Sequence, residues 1–113
     1  MSTVTIGVSR TEDMQRRMKA AFRGEPQGEW ITFASVELLW KIMTPRRWDL
    51  VRAMAGKGPM SLRAAARLVK RDVKNIHADV QALLKYGVLE KTGAGEIAFP
   101  YDAVHVDFMI EAA

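Results

Sequence analysis

The sequence predicts an α+β fold in which a pair of helices lies among short β-strands. Two amphipathic helical patterns, joined by a short turn, occupy residues 61–87. A capped helical pattern precedes them, and short β-type runs, a Gly-containing hairpin and a final alternating stretch surround them. With 113 residues, of which 49% are hydrophobic, the chain can form one domain with appendages but not two domains of ordinary size.

Residues 1–29 are predicted to form an N-terminal strand-helix extension. Residues 2–8 alternate as a short β-strand does. A helix is then predicted to begin near Thr11 and to end at Gly24. Its apolar positions recur at helical spacing: Met14, Met18, Ala21 and Phe22. The two glycines and the proline of residues 24–29 indicate a loop and a boundary.

A second β-type run and an apolar helix open the next segment, residues 30–101. The β-type run covers residues 30–33, and Ser35 is placed to cap a helix that extends to Met43. This helix is apolar over most of its surface, so it is buried either in the core of its own chain or against a second subunit. We expect a dimer contact here that includes Trp40.

Residues 44–101 have the pattern of a winged helix-turn-helix. Thr44 and Ser61 can cap two successive helices, and a turn around Lys70 leads to Asp72, which can cap a third. The apolar positions of that third helix follow a 3.6-residue period: Val73, Ile76, Val80, Leu83 and Leu84. Two short strands, residues 88–91 and 97–99, then form a hairpin around a Gly-Ala-Gly turn, the wing. The segment from residue 30 to residue 101 is therefore predicted to be a DNA-binding domain.

The outward face of the third helix has side chains suited to reading DNA. Cations can donate to guanine, amides can pair with adenine, and a small side chain can lie against a thymine methyl group. The predicted base-reading residues are Arg71, Lys74, Asn75 and Ala78, with Gln81 on the same face and His77 on its flank. The predicted phosphate contacts are Arg63, Arg67 and Lys70. Lys91 is the wing's only cation and has Glu90 and Glu96 beside it, so the wing should bind weakly.

The distribution of charge agrees with this assignment. Residues 44–91 contain eleven Lys or Arg and four acids, a net charge of +7, whereas residues 1–43 carry +1 and residues 92–113 carry −4. Such a local excess of cations suits a phosphate backbone, because each neutralised phosphate releases condensed counterions. The alternative is a basic helix surface that is simply solvated.

Residues 102–113 are predicted to form a C-terminal strand with one apolar face. Four apolar residues alternate with polar or flexible ones: Val104, Val106, Phe108 and Ile110. A strand at the end of a chain needs a sheet to join, and both the N-terminal strands and those of a second subunit could provide one. We expect it to complete a homodimer or to bind a partner protein, the alternative being an edge strand within its own sheet.

The same residues argue against an enzyme. The chain has no cysteine, which excludes disulfides and thiolate metal sites and fits a cytoplasmic protein. It contains no HExxH, GxSxG, P-loop or GxGxxG motif, and His77 and His105 are its only histidines. No signal peptide or membrane-spanning run is present in the sequence. We therefore expect no cofactor, no metal and no membrane partner.

Several motifs resemble a family of small prokaryotic winged helix-turn-helix regulators. They are ITFAS, LWKIMTPRRWDLVRAM, GPMSLRAAARLVKRDVKNIHADVQALLKYGVLE and FPYDAVHVDF, between Trp30 and Ile110. Some members of that family are similar to antitoxins, which neutralise a small toxin protein and repress their own promoter. The resemblance implies DNA binding through Arg71, Lys74, Asn75 and His77. It leaves two functions open: a dimeric repressor of its own promoter, or an antitoxin whose main task is to bind a toxin.

Overall fold

The computed structural model describes residues 1–9, 11–24, 28–110 and 112, and these residues form a mixed α+β fold. The strands are β1 (Thr3–Val8), β2 (Glu29–Phe33), β3 (Glu90–Lys91), β4 (Ile97–Ala98) and β5 (Ala103–Asp107). The helices are α1 (Thr11–Phe22), α2 (Val36–Ile42), α3 (Pro45–Met54), α4 (Leu62–Val69) and α5 (Val73–Lys85). The predicted α+β class is confirmed. Every helix in the described part of the chain is too short or too polar to cross a bilayer.

Three parallel strands form the larger sheet, in the order β2-β1-β5. The central strand β1 places Ile6 opposite Ile31 on one side and Val106 on the other. Each of the three segments distinguished in the sequence contributes one strand to this sheet. Of the two partners left open for the C-terminal strand, the structure shows the N-terminal strand of the same chain.

One apolar core joins this sheet to the helices. Ile6 in β1, Leu50 in α3 and Ile76 in α5 are fully buried members of the same cluster. Three further members come from the remaining parts of the fold: Leu39, Ala65 and Phe99. The core is therefore continuous across residues 1–29, 30–101 and the C-terminal strand, because burial of the sheet's apolar face requires the helices.

Three helices begin at the hydroxyl caps that the sequence predicted. Ser35, Thr44 and Ser61 each accept a hydrogen bond from the N–H three residues further on, at 3.1, 3.4 and 3.1 Å respectively. Such caps satisfy one of the free N–H groups of the first turn. Asp72 occupies the N-cap position of α5, but its carboxylate makes no capping hydrogen bond, so the expected side-chain cap is absent there.

Helix α1 exposes two of the apolar residues that recur at helical spacing: Met18 is 58% exposed and Phe22 is 89% exposed. Arg16 of the same helix forms an ion pair with Asp107 of β5, in which Arg16 Nη1 lies 3.2 Å from Asp107 Oδ1. The side chain of Met14, residues 25–27 of the predicted loop, and residues 111 and 113 lie outside the described residues.

Helix α2 is buried mainly in the core of its own chain. Leu39 is fully buried and Ile42 is 7% exposed, so the intramolecular alternative accounts for most of its apolar surface. Trp40 points away from this core and is 55% exposed. Its ring packs edge-on against Phe108, with the ring centroids 5.5 Å apart. A dimer contact through Trp40 stays a prediction.

Candidate nucleic-acid interface

Helices α4 and α5 are joined by a tight turn at Lys70 and Arg71. The N–H of Lys70 donates to the carbonyl of Arg67 at 3.2 Å, and the N–H of Arg71 donates to that of Ala66 at 3.0 Å. This is the hydrogen-bonding pattern of a Schellman turn. Lys70 has φ 56° and ψ 46°, the left-handed conformation, and is the one non-glycine residue with positive φ in the described part of the chain. A cation thus occupies a position where glycine would be less strained.

A concave basic surface surrounds this turn. It encloses about 510 Å³ and is lined by four cationic side chains and three smaller neighbours: Arg63, Arg67, Lys70 and Arg71, with Ala66, Asp72 and Val73. Arg63, Arg67 and Lys70, the three predicted phosphate contacts, are all exposed. The helical spacing of α4 and the turn after it therefore bring these three residues together around one depression. We call it the basic depression.

The two faces of α5 differ as the apolar period predicted. Ile76, Val80 and Leu83 on its inner face are at most 1% exposed. The side chains on its outer face are exposed: Lys74, Asn75, His77, Ala78 and Gln81. Four hydrogen-bonding side chains and a methyl group are thus available along one helix, directly beside the basic depression. We call this set the outer face of α5.

Arg71 does not join the outer face of α5, where its position in the sequence had placed it. Its side chain is only 19% exposed, and its Nη2 lies 2.9 Å from Asp79 Oδ2 in an ion pair. The same Nη2 donates to the backbone carbonyl of Asn75 at 2.8 Å. The guanidinium turns along α5 because the mostly buried Asp79 carboxylate needs a positive partner.

Asp79 also binds a second arginine, from α3. Arg47 Nε donates to Asp79 Oδ1 at 3.0 Å, and Arg47 Nη1 donates to the Ile42 carbonyl at 2.9 Å. Burial alone would raise the pKa of Asp79, but the hydrogen bond from Arg47 and the charges of both arginines outweigh it, so that the pKa lies below its ordinary value. We call Arg47, Arg71 and Asp79 the Asp79 triad. One indication of the Asp79 triad is present in the sequence, because Asp79 is the only acid of α5 and is adjacent to Val80 in the buried stripe.

The hairpin β3–β4 follows α5 and is shorter than expected. Residues 88–91 and 97–99 were predicted as strands, whereas the strands cover Glu90–Lys91 and Ile97–Ala98. The flanking residues Val88, Leu89 and Phe99 are buried in the core instead. The hairpin is held at its base by Met60, whose N–H and carbonyl both pair with Ile97 at 2.9 Å. Lys91 and its neighbour Glu90 are exposed.

The predicted partner-contact residues near the C-terminus divide into two groups. Val104 and Phe108 are partly buried against the core. Val106 and Ile110 are 41% and 72% exposed. Of the residues predicted for partner contact, Val106, Ile110 and Trp40 therefore present substantial apolar surface.

Fold and surface together define a small α+β protein with a basic surface around a pair of helices. The family model HVO_A0114 matches residues 42–106, more than half of the chain, and the chain belongs to this family. The matched range contains the Asp79 triad, the basic depression, the outer face of α5 and the hairpin. Neither the curated proteins nor the solved structures contain a match to the chain.

Proposed function

We propose that this chain is a sequence-specific double-stranded DNA-binding transcriptional regulator. In this proposal α3, α4 and α5 act as a winged helix-turn-helix, with the β3–β4 hairpin as its wing. The observation that carries it is the position of the exposed outer face of α5 directly beside the basic depression. Base-reading and phosphate-binding chemistry then lie side by side, as a helix in the major groove requires.

Base reading is assigned to the outer face of α5. Lys74 can donate to guanine O6 and N7, and Asn75 can pair with N6 and N7 of adenine. Ala78 can lie against a thymine methyl group, and Gln81 lies one turn further from the helix N-terminus than Ala78. Arg71 takes a different role from the one expected for it: it fixes the start of α5 through the Asp79 triad instead of contacting bases.

Phosphate binding is assigned to the basic depression. Arg63, Arg67 and Lys70 come from one helix and the turn that follows it, so a single phosphate or two adjacent ones can approach all three. The left-handed conformation of Lys70 supports a functional role for this residue, because glycine at that position would relieve the strain but lose the cation. The hairpin contributes little, since Lys91 has Glu90 next to it.

The promoter of the chain's own gene is the target to test first, and the test compares two double variants. Binding to this duplex and to a scrambled duplex is measured by fluorescence anisotropy. We expect the unmodified chain to prefer its target by about 1000-fold or more. Lys74→Ala with Asn75→Ala should remove most of that preference.

The control is Lys41→Ala with Gln15→Ala, which also removes one lysine and one amide. Both of these side chains are exposed and lie on α2 and α1, away from the outer face of α5. The control should bind like the unmodified chain. Equal target preference in the two double variants would refute the assignment of base reading to α5.

A second candidate function, binding of a toxin-like partner protein, draws support from α1. Phe22 is 89% exposed and Met18 is 58% exposed, which is unusual for apolar side chains of this size on one short helix. The test is co-expression with the product of the adjacent gene. Copurification that is lost in Phe22→Ser, but kept in the neighbouring Lys19→Ser variant, is the result expected for an antitoxin. Absence of copurification with the unmodified chain would remove this candidate.

A further inference from the structure

Strand β5 lies at an edge of the sheet with one side of its backbone available. Ala103 N–H donates to the Ser2 carbonyl at 3.1 Å, so the backbone groups of Ala103 face the β1 side. Backbone N–H and carbonyl groups alternate between the two sides of a strand, so those of Val104 and Val106 face outward. No other strand in the described ranges pairs with this edge.

An apolar groove runs beside the same edge. It encloses about 370 Å³ between α3 and β5, and Val104 and Val106 lie on its sheet side. Val51 and Trp48 line its helix side, together with Asp49, Arg52 and Ala55. Val106 is 41% exposed although it is in register with Ile6, which is fully buried. The core face of the sheet is thus incompletely covered at β5.

We propose that a second copy of this chain covers the edge and the groove, with the two β5 strands antiparallel around a two-fold axis at His105. In that register Val104 of each copy lies opposite Val106 of the other, and the outward backbone groups of both residues form hydrogen bonds across the axis. His105 faces its own counterpart as a pair without hydrogen bonds. The two sheets become one six-stranded sheet.

The charges along α3 favour a second copy over an unrelated strand. Gly56 N–H, just after α3, donates to the Tyr101 carbonyl just before β5, at 3.0 Å, so the C-terminal end of α3 lies next to the start of β5. Three exposed charged residues line the groove: Asp49, Arg52 and Asp102. The carboxylate of Asp102 accepts a hydrogen bond from the Ser2 N–H of its own chain at 2.9 Å, and of the other two charges Arg52 lies nearer Val104 and Asp49 nearer Val106. The two-fold axis therefore brings Arg52 of each copy to Asp49 of the other. An interface that pairs its own opposite charges in this way is self-complementary.

Strand β2 forms the other edge of the sheet and exposes Glu29 and Thr32. The proposed assembly is independent of the DNA-binding function, and its test contains no DNA. If both hold, the two α5 helices are related by a two-fold axis, which matches a palindromic operator.

Single cysteines test the register, because the chain has no cysteine of its own. Residues that face each other without hydrogen bonds in an antiparallel pair have Cα atoms about 4.5 Å apart, within disulfide range. Under mild oxidation His105→Cys should become a covalent dimer. Thr32→Cys, on the same face of the sheet but on β2, should stay monomeric on a denaturing gel. Absence of the His105→Cys dimer, or equal crosslinking of both variants, would overturn the proposal.

Light scattering on charge variants tests the interface without a covalent bond. We expect the unmodified chain to be a dimer and Asp49→Arg to be a monomer, since it would place arginines against each other across the axis. Combining Asp49→Arg with Arg52→Asp exchanges the two charges and should restore the dimer. A monomeric unmodified chain, or a double variant that does not recover, would overturn the proposed two-fold axis. Circular dichroism of each variant verifies that loss of the dimer is not loss of the fold.

Discussion

Arg71 Nη2 lies 2.9 Å from Asp79 Oδ2, which ties the turn before α5 to the side of the same helix. The other carboxylate oxygen accepts a hydrogen bond from Arg47 in α3. One carboxylate therefore sets both the start of α5 and its attachment to α3. The orientation of the outer face of α5 therefore depends on Asp79, which does not belong to that face.

Asp79→Asn should lower the free energy of unfolding by about 2 kcal/mol. The substitution keeps the shape of the side chain but removes the charge between two arginines that are 18% and 19% exposed. Urea unfolding measures the change. Asp72→Asn is the control, because Asp72 is exposed and its side chain makes no capping hydrogen bond. A loss as large in the control as in Asp79→Asn would contradict the role given to the Asp79 triad.

The same carboxylate should make stability depend on acid pH. The pKa of Asp79 in the folded chain lies below its ordinary value of 3.8, so the ionised form is favoured by folding. Its contribution is therefore full above that value and disappears as the pH falls through the lower, folded-state pKa. The pKa of Asp102 is also lowered, by the backbone N–H of Ser2, but this carboxylate is present in both the unmodified chain and Asp79→Asn, so it does not contribute to the difference between them. The difference between the unmodified chain and Asp79→Asn should consequently shrink below pH about 4. A difference that is constant down to acid unfolding would contradict this.

Lys70→Gly should stabilise the fold and weaken DNA binding. Glycine adopts the left-handed conformation of this turn without strain, which should add about 0.5–1 kcal/mol to the free energy of unfolding. Loss of one phosphate contact should lower the salt dependence of binding by about one unit of slope. Lys70→Ala separates the two effects, since it removes the cation but keeps the strain. In Lys70→Ala the slope of DNA binding against salt should fall by the same amount, and the free energy of unfolding should not rise. A rise in the free energy of unfolding equal to that of Lys70→Gly would refute the strain argument.

Gly7→Ala should destabilise the parallel sheet by about 1–3 kcal/mol. A Cβ at this position would lie 2.7 Å from the Asp107 carbonyl oxygen and 2.8 Å from Cζ3 of Trp30. The carbonyl belongs to the β5 backbone and cannot move without disturbing the strand. Gly93→Ala is the matched control, because a Cβ there meets nothing within 4 Å. Thermal unfolding of both variants measures the difference in stability. Equal melting temperatures would show that a Cβ at position 7 does not destabilise the sheet.

Local sequence signals were sufficient for the central helices. Ser61 and Thr44 fix where α4 and α3 begin, and the period from Val73 to Leu84 separates the two faces of α5. These features depend on residues three or four positions apart, so they can be recognised without knowledge of the tertiary structure.

The remaining features depend on contacts that are distant in the sequence. Strand β5 was expected, but its pairing with β1 joins residues about one hundred positions apart, and no local pattern distinguishes that partner from a second subunit. The apolar residues of α1 recur at helical spacing, but this spacing alone does not show that Phe22 is 89% exposed. Helical spacing alone predicts that Arg71 belongs to the outer face of α5. Its contacts with Asp79 and with the Asn75 carbonyl depend on side-chain geometry, which helical spacing does not show.

The most direct measurement is the preference of Asn75→Ala for its target sequence. The preferred duplex is first selected from random sequences with the unmodified chain. Affinities for that duplex and for a scrambled one are then compared at one salt concentration. We expect Asn75→Ala to lose about 1–3 kcal/mol on the selected duplex only, whereas Lys70→Ala should weaken both duplexes equally. An Asn75→Ala variant that keeps the full ratio between the two duplexes would contradict base reading by α5.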